Sequence, residues 1–397
     1  MNKLLVLGSL YTAQFLPLAF FGQALPIYMR QQGSSLEAIG LISLLGLPWS
    51  LRVFWSPFVD RYGWHRWGHY KSWIVVMQSL LVLTIGYCAF LNIQTDFLVI
   101  IIAITLVITF VAIQDIATDA LTVELLDVSQ RAWGNSVKVA SGYLGAIIGG
   151  GLILFLLDSW GWTSSLLLVT LGVGILTVPI LCYSETTTNY SAKPAISWSN
   201  LFDFLRLRSI IFWLGILLIY MMGFNITNLM SRPLFVDLGL SLTDIGIMSG
   251  VIAYSSGLFG SFLGGFLVKL LGRKLALTVC GFLMTVAIAA FVLPVIGFDN
   301  LLVLYVITIS LHLVYSMACI AQSTIMMDRC RKGNAGFDYT FQATIMTVGN
   351  LIVSSLSGLM TELIGYVGTF TFSSVLCLLS SILIFWIFKD SDWEMIS

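Results

Sequence analysis

The sequence predicts an all-α membrane protein of about twelve transmembrane helices, arranged as two six-helix bundles with both termini in the cytoplasm. Three observations predict it: a composition short of charge, a succession of apolar segments of bilayer length, and a repeat relating the two halves of the chain. Of the 397 residues, 58% are hydrophobic and only 10% are charged, with a mean hydropathy of +0.96. A soluble chain carries roughly 25% charged residues, so the charges here are too few to cover a water-facing surface and lipid must solvate most of it. The formal net charge of zero argues against a nucleic-acid partner.

Apolar runs fall near residues 4–29, 37–59, 72–91, 97–123, 132–157 and 162–183, then 209–231, 242–268, 275–296, 301–327, 335–362 and 366–388. Each reaches the roughly 20 residues that cross about 30 Å of hydrocarbon. Lys3 before an apolar stretch resembles a signal peptide, but no small-residue cleavage site follows, so the first run is read as a retained helix. With the N-terminus inside, the loops on that side hold Lys3, Arg61, Arg66, Lys71, Arg131, Lys193, Arg206, Arg208, Lys269, Arg273, Lys274, Arg329, Arg331, Lys332 and Lys389, which is fifteen of the nineteen basic residues. The opposite side keeps Arg30 and Arg232 beside Asp96, Asp158, Asp237, Asp244 and Asp299. That asymmetry sets the orientation of a multi-pass membrane protein and puts both termini in the cytoplasm.

The polar stretch Glu185–Arg208 contains Pro194 and several Ser and Thr residues and reads as a cytoplasmic linker, dividing the chain into bundles at 1–184 and 209–397. Across it, Ser35–Ser43 (SLEAIGLIS) aligns with Ser241–Ser249 (SLTDIGIMS), Pro26 and Pro233 precede these by nearly equal distances, and Gln114 and Gln322 take similar places in the fourth helix of each half. Two related six-helix halves are the major facilitator architecture, with a substrate cavity near the midplane. Pro17, Pro26, Pro48 and Pro57 concentrate in the first two helices and suit bent ones. Ser141, Gly145 and Gly149 form a small-residue stripe that lets a neighbouring helix approach closely.

Ionisable residues inside a membrane helix are costly, so each is a functional candidate. Asp115 and Asp119 are four apart on the fourth helix and share one face. Arg52 lies eight residues before Asp60, about 12 Å along a continuous helix, and Lys138 sits similarly deep in the fifth helix. The carboxylates are therefore expected to face this basic pair. Two readings stand: one aspartate takes up a proton under the pull of Arg52 and Lys138, or the four form a permanent ion cluster or latch. Asp338, with Tyr339 and Gln342, opens the eleventh helix, where it either pairs across the halves as part of an inner gate or caps its own helix. Asn225, Asn228 and Arg232 on the seventh helix, and His312, Tyr315 and Gln322 on the tenth, are spaced as cavity-lining residues, with interhelical hydrogen bonding as the alternative.

Other chemistries find no support in the sequence. The six cysteines are scattered without a CxxC spacing and read as packing residues. His65 and His69 are four apart, but no Cys or carboxylate completes a metal site and Gly68 disfavours helix there. There is no phosphate-binding GxxxxGK[ST] loop, no nucleophile elbow and no HExxH, so neither ATP hydrolysis nor enzymatic catalysis is expected, and no cofactor.

Gln14–Pro17 (QFLP), Ala24–Gly33 (ALPIYMRQQG), Ile39-Gly40 and Leu47–Tyr62 (LPWSLRVFWSPFVDRY), with Gln114–Ala120 (QDIATDA), Arg131–Asn135 (RAWGN) and Gly336–Gln342 (GFDYTFQ), carry a family likeness that spans both halves. In this combination the chain resembles the peptide/acetyl-coenzyme A transporter family of the major facilitators. The resemblance implies a proton-driven importer or exchanger of a small molecule. Its compact length is most similar to the rhizobactin- and pyochelin-type siderophore permeases, which implies import of a siderophore, iron-loaded, from periplasm to cytoplasm. The alternative is an anhydromuropeptide permease of cell-wall recycling, and a third reading is a membrane sensor that binds such a ligand without moving it. The implied proton-coupling residues are Asp115 and Asp119, with Arg52 and Lys138 as charge partners. The family usually has Lys where this chain has Arg52, which makes Arg52 a fixed counter-charge. Asp60, Arg61 and Asp338 are implied at a cytoplasmic gate. Gln14, Arg30, Gln114, Asn225, Asn228, Arg232, His312, Tyr315, Gln322, Tyr339 and Gln342 are expected to bind the substrate of a monomeric carrier embedded in the lipid bilayer, with no metal site.

Overall fold

The computed structural model describes residues 2–25, 29, 47–64, 66–92, 95–184, 205, 208–331 and 333–387. Every extended element among these is a helix. In chain order they are α1 (Lys3–Gln23), the short α2 (Ser56–Arg61), α3 (His69–Cys88), α4 (Phe97–Leu125), α5 (Arg131–Leu157), α6 (Ser159–Cys182), α7 (Ile210–Asp237), α8 (Asp244–Leu271), α9 (Arg273–Val295), α10 (Leu301–Asp328) and α11 (Ala335–Trp386). All but α2 are long and apolar enough to cross a bilayer. α11 would measure roughly 78 Å if straight, more than two hydrocarbon thicknesses. Gly365, at φ +68°, breaks it into two helices at a kink, a backbone state that strains any residue with a Cβ. The predicted segments 335–362 and 366–388 fall on either side of Gly365.

The second predicted span, 37–59, lies partly outside the described residues. From Leu47 onward it is not the continuous helix expected. A turn at Leu47–Ser50 gives way to a 3₁₀ turn at Arg52–Phe54 and then to α2, with Pro57 in its first turn. Proline carries no backbone N–H and clashes with the preceding turn, so the Pro48 and Pro57 pair breaks the helix around Arg52. The depth estimated for Arg52 on a straight helix therefore does not apply. Ser35–Ser43, the first copy of the repeat, falls outside the described residues. Its counterpart does not: Ser241 Oγ accepts from the Asp244 backbone N–H at 3.1 Å and caps the start of α8.

Close packing follows the small residues. A Cβ on Gly145 would meet Phe15, and one on Gly149 would meet the Leu16 carbonyl, so the expected stripe seats α5 on α1, with Ser141 Oγ donating to the Gly8 carbonyl at 3.3 Å. Gly260 and Gly264 serve α8 against Leu313 and Met317 of α10 in the same way. α1, α5 and α8 each carry a π-helical turn, at Phe20–Ala24, Ala146–Leu152 and Ile247–Ile252.

The helices gather into two compact units. The first takes Met1–Asp127, Ser141–Ile196 and Arg331–Thr340, and its apolar core joins Phe20, Phe21 and Leu25 to Leu81, Ile85, Ile104, Val107 and Val173. The second takes Val128–Ala140, Ser197–Cys330 and Phe341–Ser397, with Trp213, Phe235, Phe291 and Phe370 among its largest buried side chains.

Candidate functional site

In the first unit a polar seam runs where α1 meets α4. Tyr11 and Gln14 are three apart on α1 and point to one side. The Tyr11 hydroxyl donates to Asp119 Oδ1 at 2.7 Å and lies 3.0 Å from Thr122 Oγ1, while Gln14 Nε2 donates to Thr118 Oγ1 at 3.2 Å. All of these residues are buried. One turn along α4, Asp115 accepts from Arg52 Nη1, and both partners of this ion pair are buried. Arg52 also lies over the Trp49 ring, 4.7 Å from its centroid. The helix break that displaced Arg52 is what delivers its guanidinium to α4. Asp115 thus holds an arginine, and Asp119 has a tyrosine among its partners. Lys138 is half-buried and belongs to the second unit.

The start of α11 also lies in the first unit. Asp60, at the end of α2, accepts from the Gly336 N–H at 3.1 Å and the Phe337 N–H at 2.7 Å, and Tyr70 donates to it at 2.9 Å. A helix leaves its first N–H groups unpaired, and a carboxylate there is favoured by the helix dipole. Asp60 thus ties the end of α2 to the start of α11. Asp338 is buried and clasped by Arg331, seven residues earlier, through Nη2 at 2.7 Å, Nε at 2.9 Å and the backbone N–H at 2.8 Å. Arg61 is exposed over the Tyr62 ring and takes no part in this latch. Tyr339 is buried just beyond it.

The second unit holds two further groups. Asp328 accepts from Arg131 Nη1 at 2.7 Å and Arg273 Nε at 2.9 Å, and Asn135 Nδ2 donates to the Arg131 carbonyl at 3.0 Å. On α7 and α10, Phe224 stacks on Tyr315 with ring centroids 3.6 Å apart and meets His312 edge-on at 5.8 Å. His312 Nδ1 donates to the Thr308 carbonyl at 3.0 Å, and its Nε2 lies 3.2 Å from the Asn228 amide. Asn225 donates to Asn350 Oδ1 at 2.6 Å. Asn225, Asn228, His312 and Tyr315 keep partial exposure and Arg232 is exposed. Gln342 is fully buried, tying Trp213 Nε1 at 2.7 Å to the Met326 carbonyl at 3.1 Å. Arg30 lies outside the described residues.

Gln114 and Gln322, the pair related by the repeat, are both buried with neither amide atom hydrogen-bonded among the described residues. Gln78 of α3 is in the same condition. A buried amide without a partner costs roughly 1–3 kcal/mol per group. Sequence reasoning missed Gln78, Tyr11 and Phe224, because one amide or ring in an apolar helix does not stand out. The three-residue spacing of Tyr11 from Gln14 was the available signal for Tyr11. No group of His, Cys, Asp or Glu gathers as a metal site among the described residues.

Helices long and apolar enough to cross a bilayer, with charge buried in pairs between them, make a multi-pass membrane protein, and the family it belongs to makes it a transporter and not an enzyme. The chain belongs to the Major Facilitator Superfamily, whose family model matches residues 7–345 and 212–394. It is 27% identical over 378 residues to the anhydromuropeptide permease of Escherichia coli K12, covering 93% of this chain and 76% of that one. It is 24% identical to the putative transporter AmpG 4 of Rickettsia felis, over 91% of each chain. Among solved structures, the E. coli fucose:proton symporter superposes with a TM-score of 0.73 at 14% identity, covering 96% of this chain and 97% of that one. A bacterial homologue of the iron transporter ferroportin, outward-facing, gives 0.66 at 16% identity over 97% and 98%. At these identities the likeness to solved structures shows the fold alone.

Proposed function

We propose that this chain imports anhydromuropeptides across a bacterial inner membrane by proton-coupled alternating access. One observation carries the cargo: the 27% identity with the E. coli anhydromuropeptide permease extends over 93% of this chain. The siderophore reading rested on compact length. A relative bearing the AmpG name matches over 91% of both chains, so that length does not separate the two cargoes.

In this reading the sequence halves 1–184 and 209–397 are the two moving bundles, joined by the 185–208 linker, with both termini cytoplasmic. Asp119, held by Tyr11, exchanges the proton, while Arg52 and Asp115 form a fixed ion pair beside it, with Lys138 as a second positive charge. Asp60 and the Arg331–Asp338 clasp hold the inner gate. Tyr315, backed by the buried ring of Phe224, offers its exposed part to a sugar. Asn225, Asn228 and His312 supply hydrogen bonds, and Arg232 and Arg30 attract carboxylates. Gln14, Gln114 and Gln322 offer amides to the cargo or its water.

The test is accumulation of labelled anhydromuropeptide by a strain lacking its own permease and expressing this chain, with and without a protonophore. Uptake that needs both gene and proton gradient supports the reading. Uptake of ferric siderophore in its place transfers the cargo to the other branch, and binding without accumulation points to a sensor. Asp119→Asn is expected to abolish accumulation while leaving exchange of cargo for cargo. Retained proton-driven accumulation in that variant removes Asp119 from the coupling role.

A further inference from the structure

The second unit holds a pair of side-chain amides whose hydrogen-bonding capacity is half used. Gly349 of α11 lies so near α7 that a Cβ there would meet the Leu218 side chain. That close approach lets Asn350, the next residue, reach Asn225 on α7. Both N–H groups of the Asn225 amide are committed: Nδ2 donates to the Met221 carbonyl at 2.8 Å and to Asn350 Oδ1 at 2.6 Å. An asparagine has two N–H donors and one carbonyl oxygen. Asn225 is therefore left with Oδ1, an acceptor, and Asn350 with Nδ2, a donor, and neither atom has a partner among the described residues. Both side chains keep partial exposure. Their free atoms are not sealed in the core, unlike the orphaned amides of Gln78, Gln114 and Gln322.

The polarity of this open pair selects what can fill it. A carboxylate has no donor for Asn225 Oδ1, and an ammonium has no acceptor for Asn350 Nδ2. A hydroxyl carries both functions on one oxygen, whereas the two free atoms belong to different side chains on different helices. A secondary amide carries its donor and its acceptor on separate atoms and matches them. Asn225 also follows Phe224, the ring that backs Tyr315, so the pair adjoins the surface assigned to a sugar. Asn228, one turn along α7, is engaged with His312.

We propose that the Asn225 and Asn350 pair is a subsite for a secondary amide of the cargo, the N-acetyl group of an amino sugar. The acetamide N–H donates to Asn225 Oδ1, and its carbonyl accepts from Asn350 Nδ2. This rests on the anhydromuropeptide reading and names the group by which that cargo is told from a sugar lacking the acetyl.

The experiment measures binding of two probes to the full chain in nanodiscs: the anhydromuropeptide, and the same compound with its sugar acetamides converted to free amines. Wild type is expected to bind the acetylated probe roughly tenfold more tightly. Asn350→Ala is expected to lose most of that preference by weakening the acetylated probe alone. Asn350→Asp keeps the oxygen that Asn225 holds and exchanges the N–H groups for a second oxygen, so the preference is expected to reverse in favour of the amine. The ratio of the two probes is read within each variant, so a lower yield of folded protein does not enter it. An unchanged ratio in both variants overturns the subsite. Equal affinity of wild type for the two probes overturns it as well, and hydroxyls then carry the contact. Wild type that binds neither probe overturns the cargo reading and this subsite with it, which tells that failure from the other two.

Discussion

Arg52 and Asp115 are worth more as a pair than either is alone. Each is an ion drawn out of solvent, and the partner with its hydrogen bond is what makes that tolerable. Removing one side of such a pair strands the other and costs about 3–5 kcal/mol, whereas replacing both with apolar groups is often neutral. Arg52→Met is therefore expected to lower the thermal unfolding midpoint in detergent, and Arg52→Met with Asp115→Leu to recover most of the loss. The orphaned amides give the opposite sign. Gln78→Leu removes a buried group that lacks a partner and is expected to raise the midpoint by the equivalent of about 1–3 kcal/mol with uptake unchanged. Gln114→Leu is expected to stabilise similarly but to lower uptake, and the two readings together check the assignment of Gln114 to the cargo path. The Arg52 and Asp115 neighbourhood was legible because intramembrane charges are rare and need a partner, although the depth counted for Arg52 did not hold. The Asp338 partner was not, since Arg331 reaches it across a loop whose course no periodicity reports.

At the level of elements, glycines decide how near two helices come. Gly149 lies where a Cβ would meet the Leu16 carbonyl, whereas around Gly151, two residues on, a Cβ would meet nothing within 4 Å. Overpacking a tight contact costs typically about 1–3 kcal/mol. Gly149→Ala is thus expected to lower the thermal midpoint and the yield of folded protein, and Gly151→Ala to leave both unchanged, with size-exclusion profiles as the check. The Ser141, Gly145 and Gly149 stripe was readable because its spacing matches one helix face. The break before α2 was partly readable: Pro48 and Pro57 announced a bend, but not that the helix would stop and restart around Arg52.

For the molecule as a whole, lipid makes the sequence easy to read at low resolution and hard to read at high resolution. Lipid demands long apolar helices, so the fold class shows in composition and run length alone. Most faces of those helices are apolar, so beyond a small-residue stripe or a buried charge the pattern does not say which face meets lipid and which meets another helix, and the contacts that join distant segments stay hidden. The latch from Asp60 to α11 is of that kind. An asparagine at position 60 retains one acceptor oxygen where the carboxylate offers two. Asp60→Asn should therefore release one of the two N–H groups at Gly336 and Phe337, at a cost of about 1–2 kcal/mol. Faster deuterium uptake across 331–340 checks this, and unchanged uptake removes Asp60 as the cap. The two ends of the latch are 276 residues apart in sequence. At ribosomal speeds of about 5–20 residues per second, Asp60 waits on the order of 15–55 s for its partner to be made. The first unit therefore stays unfinished until synthesis is almost over. During that interval a nascent chain must keep a buried carboxylate hydrated or in the care of a chaperone.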